Sequence, residues 1–216
     1  MVNIMKYSLS EIIEENRGFW YIFFMTKRLF IAVPLPEKIK DALKKLQDKI
    51  SDHYSDVFRL LHPDNMHLTI HFLGNIDAKK IPELKQNIQA VTSGHRKFNL
   101  LIQGTGAFPS FRKPKVLWTG AASPDTELVS LHDDLIPVLT AFGIEIDDRP
   151  FRGHITLAYG RKNIPYSRLR DGGKAVRDSG WDVNLNFTAD TVILFQSELS
   201  AEGARHTPSG VFKLRD

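Results

Sequence analysis

The apolar positions of the chain fall first into a short run at residues 29–33, closed by Pro34-Leu35-Pro36, which predicts a buried strand ended by a turn. A helical stripe follows. Over residues 37–50, Ile39, Ala42, Leu43, Leu46 and Ile50 recur at three- and four-residue steps, with Lys38, Lys40, Lys44, Lys45 and Lys49 around the remaining surface as a solvated face. Residues 67–73 read as the next strand, and an acidic start at Asp77 leads into a second helix carrying Ile81, Leu84, Ile88 and Val91. After Ser93-Gly94 the order recurs, with strands at 98–103 and 116–120, a helix over 125–142 and a strand at 154–159. Residues 164–180, rich in Gly, Arg and Asp and with little periodicity, predict a long surface loop. Late strands are expected at 181–187, 191–199 and 211–214. The sum is an α+β protein with two similar lobes.

At 216 residues, with 42% apolar and 25% charged residues, the chain has the size and composition of one globular unit with a buried core. The periodic pattern starts near residues 26–28, so residues 26–216 are taken as a single domain. Residues 1–25 are taken as an extension, either foreign to the native chain, with Met25 as the natural start, or native and packing its aromatics on the domain. The apolar run at residues 18–25 is too short to span a bilayer. Glu11, Glu14 and Glu15 precede it and no small-residue cleavage pattern follows, so it is no secretory signal. A cytoplasmic monomer without a membrane partner is expected. The absence of cysteine removes disulfides, thiol nucleophiles and Cys-rich zinc sites, leaving His, Asp, Glu, Ser, Thr and Lys for chemistry. A net charge of +4 permits a phosphate-bearing partner but is too small for a protein that coats nucleic acid.

Candidate chemistry concentrates in two tetrads, His67-Leu68-Thr69-Ile70 and His154-Ile155-Thr156-Leu157, one at the matching point of each lobe. With eight histidines and eleven threonines, chance supplies about 0.4 His-x-Thr triplets, and here two share the same aliphatic context. Strand alternation puts each histidine and threonine on one face, with the aliphatic residues entering the core. If the two strands lie side by side, two imidazoles and two hydroxyls converge in a groove. One neutral histidine can then take a proton from a nucleophile, one imidazolium can protonate a leaving oxygen, and the hydroxyls can hold phosphoryl oxygens, with no metal or other cofactor required.

These tetrads, together with the opening Arg28-Leu29-Phe30-Ile31-Ala32-Val33-Pro34-Leu35-Pro36, the middle Gly104-Thr105-Gly106-Ala107-Phe108-Pro109 and Val116-Leu117-Trp118, and Arg149-Pro150-Phe151-Arg152, resemble the two-histidine phosphoesterase superfamily. Within it they resemble the RNA 2′,3′-cyclic phosphodiesterases also called 2′-5′ RNA ligases. The resemblance implies two pseudo-symmetric lobes of antiparallel sheet with outer helices around a central groove. It also implies metal-independent opening of RNA 2′,3′-cyclic phosphate ends to 2′-phosphates, with weak reverse ligation in some members. His67 corresponds to the proton donor and His154 to the proton acceptor, with Thr69 and Thr156 on the phosphate. Two departures stand out: Gly153 where the family often has proline, and Tyr159 where an arginine commonly follows the second tetrad. Arg152 or Arg161 is expected to supply the missing cation, with Phe108 and Phe151 as further substrate-binding candidates.

Other residues carry less. His71 is placed on the face of His67 and Thr69, as packing rather than as a groove residue, while His53, His62, His95, His132 and His206 read as surface positions. Phe111-Arg112-Lys113-Pro114-Lys115 reads either as an RNA-binding loop or as a solvated hairpin tip, and Gly104-Thr105-Gly106 as a tight turn. Two competing functions remain: a phosphodiesterase for a small cyclic nucleotide such as ADP-ribose 1″,2″-cyclic phosphate, and a non-catalytic RNA or nucleotide binder. Intact tetrads argue against the binder, which needs no pair of titrating groups beside two hydroxyls.

Overall fold

A computed structural model describes residues 26–178, 184–200 and 203–216. The extension at residues 1–25 and the start of the strand expected at 181–187 lie outside the described residues. The chain runs β1 (Thr26–Pro34), α1 (Glu37–Tyr54), β2 (Phe58–Leu60), β3 (His67–Asp77), α2 (Ile81–Thr92), β4 (Phe98–Phe108), β5 (Val116–Ala122), α3 (Glu127–Ala141), β6 (His154–Gly160), α4 (Tyr166–Asp178), β7 (Asn184–Ala189), β8 (Thr191–Ser200) and β9 (Gly203–Lys213).

One sheet takes the order β7-β4-β5-β6-β3-β1-β8-β9, with β2 adding to β6. Its strands pair antiparallel. The order divides into two four-stranded halves, β7-β4-β5-β6 and β3-β1-β8-β9, whose innermost strands each open with a tetrad. They meet where Leu68 pairs with Ile155. This is the α+β, two-lobed architecture expected.

The helices cross between the halves. Pro36 cannot continue β1, and its carbonyl accepts from the Ile39 and Lys40 amides to start α1, where Glu37 complements the helix dipole. Ile39, Leu43, Leu46 and Ile50 are buried, while Lys38, Lys44, Lys45 and Lys49 are exposed. Although α1 follows β1, it packs on β2 and β6. There the Gln47 amide donates to the carbonyls of Leu61 and Leu157, both at 2.7 Å, so the one buried amide on this face is satisfied. In the opposite direction α3, which follows β5, buries Leu128, Leu131, Leu135 and Leu139 against α2 and β3.

Residues 164–180 correct the expectation of a loop, because Tyr166–Asp178 is helical. Its buried positions are Gly172, Gly173 and Val176, so the inward face carries glycine where an apolar stripe would have shown. A Cβ at Gly172 would stand 3.0 Å from the Phe58 ring, and one at Gly173 would stand 2.0 Å from the Phe111 carbonyl oxygen. Gly173→Ala will therefore lower stability: a clash with backbone costs about 1–3 kcal/mol and outweighs the ~1 kcal/mol that alanine gains in helix propensity. The expected loss in Tm is about 3 °C, and a rise on thermal melting would contradict the packing.

The Gly104-Thr105-Gly106 segment is likewise strand rather than turn. Gly104 has φ +67° at an irregularity in the β4–β5 register, and a Cβ at Gly106 would lie within 2.1 Å of the Trp118 ring. Glycine there lets Trp118 lie against β4.

Candidate active site

Both tetrads carry the same backbone distortion. In the β1–β3 register Ile31 faces His71 and Ala32 faces Thr69, so Ile70 is an extra residue; in the β5–β6 register Leu117 faces Ala158 and Trp118 faces Thr156, so Leu157 is one too. Each bulge falls on the fourth residue of its tetrad. Before the bulge the alternation holds, with Leu68 and Ile155 buried beneath His67, Thr69, His154 and Thr156. After it the faces exchange. His71 therefore leaves the groove, correcting its expected face: it is buried, its ring stacks on His132 at 4.2 Å, and its Nε2 bonds the His132 carbonyl at 2.8 Å. Packing, the role read for it, stands.

The Leu68–Ile155 pair sets the geometry of the groove. Antiparallel continuation puts His67 across from Thr156 and Thr69 across from His154, so the two imidazoles occupy one diagonal of a square and the two hydroxyls the other. All four residues line one groove of about 610 Å³. Each histidine stands against an aromatic wall. His67 stacks on Phe30 at 4.7 Å with Phe195 behind it, and His154 meets Phe108 edge-on at 5.0 Å with Trp118 at 6.0 Å.

The walls and the backbone orient the rings. His154 Nδ1 lies 2.8 Å from the carbonyl of Arg152, to which it donates as Nδ1–H, leaving Nε2 with the free lone pair that a general base needs. A hydrogen bond to the backbone of Asn65, again two residues earlier, holds His67. Burial pushes His67 down to about 4, with His206 and then His154 adding positive neighbours that oppose its protonation. It is thus neutral at pH 7 in the empty groove, and an anion beside it must restore the proton.

The remaining candidates separate. Phe108 touches His154, but Phe151 stacks on His132 at 4.3 Å, away from the tetrads. Arg152 serves His154 through its carbonyl, and Arg161 directs its Nε to the Ser55 carbonyl at 3.0 Å. Neither of these arginines lines the groove; its cations are Arg28 and Arg59. Arg59 was invisible to motif reading because it sits on β2, directly across from Tyr159, with its guanidinium 5.3 Å from that ring's centroid. Gly153 has a local reason, since a Cβ there would stand 2.2 Å from the Ala121 carbonyl oxygen.

Three histidines expected on the surface are elsewhere. His95 is buried between Glu127 at 3.0 Å and Asp134 at 3.1 Å, and His132 is sandwiched between His71 and Phe151. His206, on β9, enters the groove with its ring 5.3 Å from that of His67 and its Nδ1 buried without a partner. Burial, then Arg28, holds His206 below its usual range. No local signal marks it, because a long hairpin brings it there. His53 and His62 are exposed as expected. Phe111 packs on the core, so the basic β4–β5 loop offers no free aromatic. Among the described residues no group of three His, Asp or Glu could hold a metal ion, and no helix is long and apolar enough to cross a membrane.

Paired imidazoles and hydroxyls, presented by the inner strands of the two sheet halves, are the arrangement that the resemblance to the two-histidine phosphoesterases implies. The family model described as LigT like Phosphoesterase matches residues 33–118, the part of the chain that holds the first tetrad. Among curated relatives, the RNA 2′,3′-cyclic phosphodiesterase of Methanothermobacter thermautotrophicus is 29% identical over 192 residues, covering 88% of this chain and 100% of the relative. That of Escherichia coli K12 is 27% identical over 182 residues, covering 84% and 93%. A crystal structure from Thermus thermophilus superposes with a TM-score of 0.73 at 26% identity, over 87% of this chain and 98% of that one. E. coli LigT complexed with 3′-AMP shares the fold at 24% identity and a TM-score of 0.70, over 88% and 99%.

Proposed function

We propose that the protein opens RNA 2′,3′-cyclic phosphate ends to 2′-phosphomonoesters. The observation that carries this reading is the diagonal placement of His67 and His154, which suits in-line displacement at phosphorus. Water attacks phosphorus from the His154 side, and Nε2 takes its proton as the new P–O bond forms. The bond from phosphorus to the 3′ oxygen breaks, and His67 gives that oxygen its proton. Thr69 and Thr156 donate to the phosphoryl oxygens as their charge grows. The bound phosphate anion raises the His67 pKa from about 4 and so arms the acid that burial had disarmed. With a 5′-hydroxyl in place of water as the nucleophile, the same groups in the same roles join a 2′,3′-cyclic end to it in weak 2′-5′ ligation, the bond from phosphorus to the 5′ oxygen forming as that to the 3′ oxygen breaks. Curated relatives with the name RNA 2′,3′-cyclic phosphodiesterase support the choice of substrate.

The test is turnover of a cyclic-ended oligonucleotide and of 2′,3′-cyclic mononucleotides after exhaustive EDTA treatment, followed by ³¹P NMR. The expected product is the 2′-phosphate, at an undiminished rate. A 3′-phosphate, or activity recovered only on adding a divalent ion, would overturn the mechanism.

A further inference from the structure

We propose that the groove grips nucleobases at both of its ends, with Phe72 as one stacking platform and Tyr159, backed by Arg59, as the other. The inference rests on the phosphodiesterase reading for what lies between the platforms. The matched bulges at Ile70 and Leu157 return Phe72 and Tyr159 to the groove face, each three residues past the threonine of its tetrad. Because β3 and β6 run antiparallel, the two rings are carried apart. Phe72 lies beyond Thr69 and His154, and Tyr159 lies beyond His67 and Thr156. At about 3.4 Å per residue their backbone positions are on the order of 20 Å apart, with the phosphate site midway. A phosphate alone uses none of that length; a cyclic phosphate whose ribose sends its own base toward one end and its 5′ neighbour toward the other does.

The two rings are also left open. Phe72 is 67% exposed and Tyr159 36%, both on the wall of a groove whose other aromatics are occupied in supporting the histidines. Single exposed aromatics need no explanation, but two at equivalent points of one duplicated site do. The ends differ in charge. Arg59 covers one face of Tyr159, which holds the ring in place and puts a cation where a flanking phosphate would run, whereas Phe72 is a plain apolar surface tilted against Phe30 at 6.1 Å. Stacking tolerates any base and requires it to be unpaired, so the occupant is a single-stranded RNA end rather than a duplex or a sugar phosphate without bases.

The experiment compares the full chain with Phe72→Ala, Phe72→Trp, Tyr159→Leu and Tyr159→Phe on three substrates: ribose 2,3-cyclic phosphate, a 2′,3′-cyclic mononucleotide and a cyclic-ended dinucleotide. In the unmodified protein KM should fall about tenfold with each base added, the scale of one stacking contact. Phe72→Ala and Tyr159→Leu should each remove one of the two steps while kcat stays within about twofold, and Phe72→Trp and Tyr159→Phe should restore them. Unchanged KM in both truncations, or a fall in kcat alone, would overturn the proposal. If the unmodified protein turned over none of the three, the proposed chemistry would fail by itself. Titration with a dinucleoside monophosphate would then read the platforms: a Kd about tenfold weaker in each truncation supports them, and an unchanged Kd removes them.

Discussion

Replacing either groove histidine with alanine will reduce turnover of a 2′,3′-cyclic phosphate by at least about 10²-fold, the usual contribution of a positioned acid or base. Both side chains leave the core for the groove, so His67→Ala and His154→Ala should remain folded, and full activity in either would sink the assignment. The pH profile tests the role of His67. His67 starts from about 4 in the empty groove, so its proton is lost as pH rises through that value, and the alkaline limb of kcat/KM, which reports the free protein, should begin low. Bound phosphate raises His67, so the alkaline limb of kcat should lie at higher pH than that of kcat/KM. A kcat limb that coincided with the kcat/KM limb would mean that phosphate does not rearm His67.

The second large effect belongs to the hydroxyls. Thr69→Val and Thr156→Val keep the branched shape on a half-buried strand face of the groove but delete the hydroxyl proposed to donate to the phosphoryl oxygens. Each should lower kcat by roughly 10²-fold, as loss of one oxyanion donor does, while Thr→Ser at either position retains most of the rate. Because the two threonines are proposed to hold the same phosphate, their losses should not simply add. A rise in KM with kcat unchanged would show that the hydroxyls bind the ground state and the transition state alike.

Much of this was legible along the chain because strand alternation and helical stripes are local. His67, Thr69, His154 and Thr156 announce themselves by spacing, and α1 by five apolar positions over a lysine face. What escaped was decided by neighbours far away in sequence. The α4 helix presents glycine inward because Phe58 and the Phe111 backbone leave no room for a side chain, so its stripe is unreadable. His71 was placed on the wrong face because a bulge at Ile70 interrupts the period of two, and a bulge is visible only in the register with β1. Arg59 and His206 reach the groove by pairing across β2–β6 and by the β8–β9 hairpin, neither of which has a local signature. The cation expected from Arg152 or Arg161 is offered instead by residues that no tetrad flanks.

The order of the strands also sets a schedule for synthesis. β1 can pair with β3 as soon as residue 77 has emerged, but its other edge waits for β8, where Leu29 meets Gln196. At roughly 5–20 residues per second that interval is on the order of 10 s, during which a strand as apolar as Leu29-Phe30-Ile31-Ala32-Val33 exposes an unpaired edge on the ribosome. His206 arrives later still, so the wall beside His67 is among the last parts of the groove to be laid down, and a chain released early would carry both tetrads without a finished pocket.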